Sequence, residues 1–164
     1  MIVLKTERLQ LRLLTEADAP FMHRLMNCEG WLQYIGNRNI YTIDDALAYL
    51  RVVYIAPYAK HGFGFYAVCL EGSNEPVGTC GLIKREVLDD VDIGFAFLPE
   101  HSGKGYATEA ATGVMKLASS MGITNVVAIT TPDNAASIAV LQKIGLAKQK
   151  TIELNGEMLL LHSQ

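Results

Sequence analysis

The alternation of polar and apolar positions along the chain predicts most of its elements. Residues 2–13 alternate around Leu9, Leu11 and Leu13, the period-two pattern of a half-buried strand. Thr15 with Asp18 three positions on resembles a capping box, with Asp in place of the usual Glu, and opens a helix through about Asn27. Thr42 followed by Asp44 and Asp45 opens a second helix. Its Ala46, Leu47, Leu50, Val53 and Tyr54 fall at helical spacing, and it should stop between Pro57 and Gly62. Three strands follow, at Gly64–Leu70, Val77–Lys84 and Val91–Leu98. The turn-rich run Glu71–Pro76 separates the first two, and a short acidic break, Val87–Asp90, precedes the third. Connections this short favour antiparallel pairing.

Beyond Pro99 the period lengthens. Gly103-Lys104-Gly105 leads into a helix over Ala107–Met121, with Ala110, Ala111, Val114, Leu117, Ala118 and Met121 on one face. The β-branched run Asn125–Thr130 reads as a buried strand. A helix over Asn134–Ile144 closes at Gly145. Two last strands, Leu146–Leu154 and Glu157–His162, are joined by Asn155-Gly156, a strong hairpin signal. The expected order is β-α-α-β-β-β-α-β-α-β-β. With no repeat, low-complexity tract or linker, it reads as one α/β (α+β) domain over residues 1–164.

Composition narrows the function classes. A chain of 164 residues is long enough for a core without disulfides or metals. Its 50% apolar and 19% charged residues exclude a disordered or fibrous chain. A net charge of −3 with no basic run argues against a nucleic-acid partner. No apolar stretch is long enough to span a membrane, and the N-terminus lacks a secretory pattern, so a cytoplasmic protein is expected. Three cysteines, Cys28, Cys69 and Cys80, without CxxC spacing, suggest neither a disulfide framework nor a metal site.

Candidate chemistry concentrates in Gly94–Ala110, where a strand runs through a glycine-bearing turn directly into a helix. Such a turn gathers unpaired backbone N–H groups at the positive end of the helix dipole, a spot suited to phosphate. A Walker A loop does not fit, because Leu98 stands at its first glycine and Gly105 at its Ser/Thr. A dinucleotide fingerprint fits poorly, with Thr108 at the third glycine and antiparallel strands before it. The bland alternative is a turn that only joins strand to helix.

The segment IGFAFLPEHSGKGYATEA resembles the acyl-CoA-binding motif of the GNAT N-acetyltransferases, [QR]-x-x-G-x-[GA], with Gly105 and Ala107 at the small positions and Ser102 where Gln or Arg is usual. Asn134-Ala135-Ala136-Ser137 followed by Leu141–Leu146 resembles the family's N-x-x-S…L-E-K-x-G-F block, and Thr6-Glu7-Arg8-Leu9-x-Leu11-Arg12 resembles the ribosomal-protein N-terminal acetyltransferase branch. The resemblance runs from about residue 5 to residue 160 and implies the GNAT fold, a mixed, mostly antiparallel twisted sheet flanked by helices.

It also implies acetyl-CoA as co-substrate, with no metal. Backbone groups of Phe97 and Leu98 would pair with the pantetheine arm. The N–H groups of Gly103, Lys104, Gly105, Tyr106, Ala107 and Thr108 would hold the pyrophosphate, and Asn134 would contact the cofactor arm unless it serves only as a helix cap. The implied reaction is direct attack of a neutral amine on the thioester, with the oxyanion met by a backbone N–H near Phe97. Asp92 occupies the position of the family's Glu base, one carbon shorter, and a solvated strand-end acid is its alternative. The family's acidic Tyr falls at Leu141, which cannot donate a proton; Ser137, one turn into the last helix, is the remaining candidate. The acceptor would be a primary amine on a protein N-terminus, ribosomal or other, or on a small molecule. A catalytically silent acyl-CoA sensor is the rival of a different class. Trp31, Tyr34 and Tyr41 lie in the acceptor region, although aromatics at such spacing are more often core; Arg8 receives no role, and the state is monomer or homodimer.

Overall fold

The computed structural model describes residues 1–164 and divides the alternating N-terminal segment in two. In place of one strand over 2–13, β1 (Ile2–Lys5) and β2 (Leu9–Leu13) form an antiparallel hairpin. The Thr6 N–H closes its turn by donating to the Leu9 carbonyl at 2.9 Å. No glycine, proline or asparagine marks that turn. A contact from far along the chain secures it, because the Glu109 carboxylate accepts from Thr6 Oγ1 at 2.6 Å and from the Arg8 N–H at 2.7 Å.

Helical segments then cover one face of the sheet, and the last of them reaches round to the other, where its Tyr58 joins the α5-side core. After a 3-10 turn at Glu16–Asp18 comes α1 (Ala19–Met26), where the Asp18 carboxylate accepts the Thr15 N–H at 2.9 Å. The short α2 (Glu29–Tyr34), which the apolar pattern did not predict, places Trp31 in the core. The expected second helix is one continuous helical run in three parts: α3 (Ile43–Tyr49), a π-helical stretch at Leu50–Ile55, and α4 (Ala56–His61). Pro57 does not end it: the run passes through Pro57 directly after the π-helical stretch, a local widening of the kind that accompanies a broken hydrogen-bond ladder. Gly62, in the left-handed conformation, ends it.

The other elements lie close to their expected bounds: β3 (Phe65–Leu70), β4 (Pro76–Ile83), β5 (Val91–Phe97), α5 (Tyr106–Ser120), β6 (Val126–Thr130), α6 (Ala135–Lys143), β7 (Ala147–Leu154) and β8 (Glu157–Ser163). The β7–β8 hairpin turns on Asn155 and Gly156, both at positive φ, as a two-residue turn matched to strand twist requires. The eight strands form one sheet in the order β1-β2-β3-β4-β5-β6-β8-β7. Every neighbouring pair is antiparallel except β5 and β6. One core cluster packs α5 and α6 on one face; a second packs α1 and α3 on the other.

The parallel β5–β6 pairing is short. It registers only Val91 with Val126 and Asp92 with Val127, after which the strands part. The sheet is therefore split along most of the length of β5, with the loop to α5 at the end of the split.

Candidate active site

Alternation decides what β5 presents to the split. The Leu98 N–H donates to the Val77 carbonyl at 3.0 Å, and Phe97 lies opposite Gly78. In an antiparallel ladder, Leu98 and Ala96 then bond toward β4 while Phe97 and Phe95 turn their N–H and C=O groups the other way. That is the side from which β6 has diverged, so Phe95 and Phe97 have no registered partner there. The expectation for Leu98 is thus corrected: its N–H is taken by Val77, and its carbonyl accepts the His101 N–H at 2.9 Å. Its buried side chain belongs to the second core cluster. Phe95, which the sequence motif did not single out, turns its N–H and C=O to the split alongside Phe97.

Side chains alternate too. Ile93, Phe95 and Phe97 pack against the α5-side core, whereas Ala96 and Leu98 pack against the α1–α3 side. Asp92 and Gly94 share that second face. A Cβ on Gly94 would lie 2.8 Å from the Phe65 ring, and Phe65 meets Tyr54 edge-on at 5.6 Å between centroids. An aromatic wall thus adjoins Asp92. Of the aromatics proposed near the acceptor, Trp31 is in the core and Tyr41 is exposed, with its hydroxyl on Asn39 Oδ1 at 2.9 Å. Cys69 and Cys80 are buried, as core thiols should be.

Asp92 sits where β5 and β6 last pair. It is 2% exposed, and Arg85 Nε donates to its Oδ2 at 2.6 Å. Burial drives its pKa up from the ordinary 3.8 to about 6, against the opposing pull of Arg85 and Lys84. The result is a carboxyl group that titrates near neutrality.

Past β5, a 3-10 turn (Pro99–His101) leads to Gly103 and Gly105, both at positive φ. Gly105 is the N-cap of α5 and no side chain caps the helix. The N–H groups of residues 103 through 108 have no hydrogen-bond partner in the chain. Six consecutive free donors at the start of a 15-residue helix form a concave, electropositive run open to solvent. The Lys104 side chain is exposed, and its carbonyl accepts Arg8 Nη1 at 2.8 Å.

Across the split, Asn134 caps α6, its Oδ1 accepting the Ser137 N–H at 3.2 Å. The amide nitrogen of Asn134 and the hydroxyl of half-buried Ser137 carry no hydrogen bond within the chain, and no hydrogen bond joins Ser137 to Asp92. Leu141 is buried in the α5-side core. The loop to α5 and the start of α6 follow the C-terminal ends of the parallel strands β5 and β6, so both lie at the open end of the split. The split thus has free backbone donors at its open end and, where β5 and β6 last pair, a buried carboxyl group of raised pKa.

Comparison with known proteins agrees with this geometry. Residues 8–147 match the family model described as the acetyltransferase (GNAT) domain. An uncharacterized N-acetyltransferase of Bacillus subtilis (strain 168), YoaA, is 27% identical over 149 residues, covering 90% of this chain and 84% of its own. Among solved structures, the acetyltransferase from Agrobacterium tumefaciens str. C58 superposes with a TM-score of 0.84 at 25% identity, covering 98% of this chain and 92% of that one. A ribosomal L7/L12 α-N-protein acetyltransferase, RimL, in complex with coenzyme A shares the fold, with a TM-score of 0.84 at 20% identity, covering 100% of this chain and 97% of that one.

Proposed function

The chain belongs to the GNAT family and is an acetyl-CoA-dependent N-acetyltransferase, and on that premise we propose that it acetylates the free α-amino group of a protein N-terminus, a ribosomal protein being the acceptor its branch resemblance implies. One domain over residues 1–164 carries the reaction. The observation that supports the cofactor end most directly is the run of six unpartnered N–H groups from Gly103 to Thr108. A diphosphate fits such a run because successive backbone donors and the dipole of α5 act on it together. Acetyl-CoA supplies the activated acetyl group when bound. The free backbone groups of Phe95 and Phe97 are placed to pair with the amides of its arm as an added strand would, leaving an N–H near Phe97 to face the developing oxyanion. Asn134 offers its amide N–H from the other side of the cleft.

The base fits an α-amine better than a lysine. An α-amino group, pKa near 8, lies about two units above an Asp92 at about 6, and roughly a tenth of it is neutral at pH 7. A lysine side chain, near 10.4, lies more than four units above and is only about 0.04% neutral. Asp92 therefore takes the proton of the attacking amine, and Arg85 keeps it oriented. Ser137 is the hydroxyl available to the departing thiolate. One observation favours the silent-sensor reading, namely Leu141, an apolar side chain at the position of the family's proton donor.

Free-thiol release from acetyl-CoA, measured across peptides with free N-termini, lysine peptides with blocked N-termini, polyamines and amino acids, tests the proposal. Turnover confined to the free N-terminal peptides supports it. Turnover confined to polyamines or amino acids replaces the acceptor with a small molecule, and tight CoA binding with no turnover on any amine supports the sensor.

A further inference from the structure

The β1–β2 turn reaches across to the loop that precedes α5 and to the first turn of that helix, and holds them by five contacts. Arg8 Nε donates to Glu109 Oε2 at 2.7 Å, and the Arg8 backbone N–H donates to Oε1 of the same carboxylate at 2.7 Å. Arg8 Nη1 donates to the Lys104 carbonyl at 2.8 Å, and the guanidinium lies over the Tyr106 ring, 4.7 Å from its centroid. Thr6 Oγ1 completes the set on Glu109 at 2.6 Å. These contacts join residues about a hundred positions apart in sequence, and each ends on or beside the run of free N–H groups.

Two consequences follow from elementary geometry and charge. A trans peptide holds its C=O and N–H on opposite sides, so fixing the Lys104 carbonyl toward Arg8 fixes the Gly105 N–H away from it. Gly105 has φ +81°, a conformation without side-chain support of its own, so an external hold on this peptide plane has work to do. Glu109 is the one acidic residue in the first turn of α5, and as a bare carboxylate it would repel an anion at that helix start. Burial alone would raise its pKa, but the Thr6 hydroxyl and then Arg8 outweigh burial and hold it ionised, with Arg8 balancing its charge.

We propose that Arg8 is a positioning residue for the diphosphate of the acyl donor: it sets the Gly105 N–H toward the anion and neutralises Glu109, without contacting the reacting atoms. This inference rests on the reading of residues 103–108 as the diphosphate cradle. A planar guanidinium spans Glu109 and the Lys104 carbonyl at once, which a lysine ammonium does not.

The test pairs calorimetric binding of CoA with steady-state kinetics on two donors, acetyl-CoA and S-acetylpantetheine, which lacks the diphosphate. For Arg8→Ala, the CoA dissociation constant and the acetyl-CoA KM rise about tenfold or more while kcat stays within about twofold. The preference for acetyl-CoA over S-acetylpantetheine, as a ratio of kcat/KM, falls by the same factor. Arg8→Lys, which keeps charge and most of the length, shows the same loss, and it stands in if the alanine variant does not fold. Unchanged CoA affinity in a folded variant overturns the inference, as does an equal loss on both donors, the mark of a purely structural role. Wild-type protein that does not bind CoA at all overturns the cradle reading first, and this inference with it.

Discussion

At the start of α3, the Thr42 hydroxyl accepts the Asp45 N–H at 3.0 Å, and the Asp45 carboxylate accepts the N–H groups of Thr42 and Tyr41, also at 3.0 Å. At the start of α5, no side chain does anything comparable, and Gly105 stands in the capping position. The first helix end is closed by its own sequence, with serviceable capping chemistry worth about 1 kcal/mol. The second gives up that stabilisation, is held from outside by Arg8, and leaves its donors free. The start of α6 lies between them: Asn134 spends its carbonyl oxygen on Ser137 and keeps its amide nitrogen. Since α2 also lacks a side-chain cap, what sets α5 apart is that its three free N–H groups continue back through Gly103, Lys104 and Gly105.

Four substitutions would break or sharpen that contrast. Gly105→Glu should have the largest effect, lowering CoA affinity by about two orders of magnitude or more, since a side chain at φ +81° is strained, its Cβ would lie 3.2 Å from Arg8 Nη2 and disturb the hold on the loop, and it adds negative charge at the helix start. A folded variant that binds CoA normally in calorimetry would remove the loop from the cofactor site. Asp92→Asn should lower kcat by about a hundredfold. In the wild-type protein, activity should fall as pH drops through about 6, where Asp92 gains its proton, and the variant's pH–rate profile should lose that limb. Stability moves the opposite way. The folded state holds this proton from the ordinary 3.8 up to about 6, where the unfolded chain has lost it, so the Asp92 contribution to stability declines as pH rises through that window. Urea titrations at several pH values should find that slope removed in the variant.

Asn134→Asp should have a smaller effect. It keeps the oxygen that accepts the Ser137 N–H and loses the amide donor, so the acetyl-CoA KM should rise roughly severalfold with little change in melting temperature. A fall in melting temperature with no change in KM would make Asn134 a cap and nothing more. Thr42→Ala completes the comparison. It should cost about 1 kcal/mol, or roughly 2–4 °C in Tm, and leave the acetyl-CoA KM unchanged, because the closed end of α3 serves stability alone.

Much of this was legible in the residues. The strands from β3 to β8 and helices α5 and α6 announce themselves through periodicity, the Asn155-Gly156 turn and the glycines around Lys104. The loop 103–108 stood out because a strand, two glycines and a helix in that order have few physical uses. What escaped was what depends on partners distant in sequence. The β1–β2 turn carries no turn residue, and Glu109 secures it. Arg8 gains its place from Glu109 and the Lys104 carbonyl. The six-residue α2 is too short for a period to register. That Phe95, and not Leu98, faces the split escaped because hydrogen-bond alternation on β5 is set by its register with β4, and register is not written in either strand alone. Asp92 was visible as an acid at a strand end, but its raised pKa is a matter of burial.

The parting of β5 and β6 has a kinetic consequence. A sheet ordinarily protects its amides from exchange with solvent deuterium, strand by strand, and central strands protect best. Here two central positions, Phe95 and Phe97, lie past the last registered pair with β6, so their amide protons should exchange quickly while those of Ala96 and Gly94, bonded toward β4, stay slow. That produces a two-residue rhythm of fast and slow exchange within a single strand. An arm lying along the open edge should erase the rhythm, which makes those two protons a reporter of occupancy that needs no turnover.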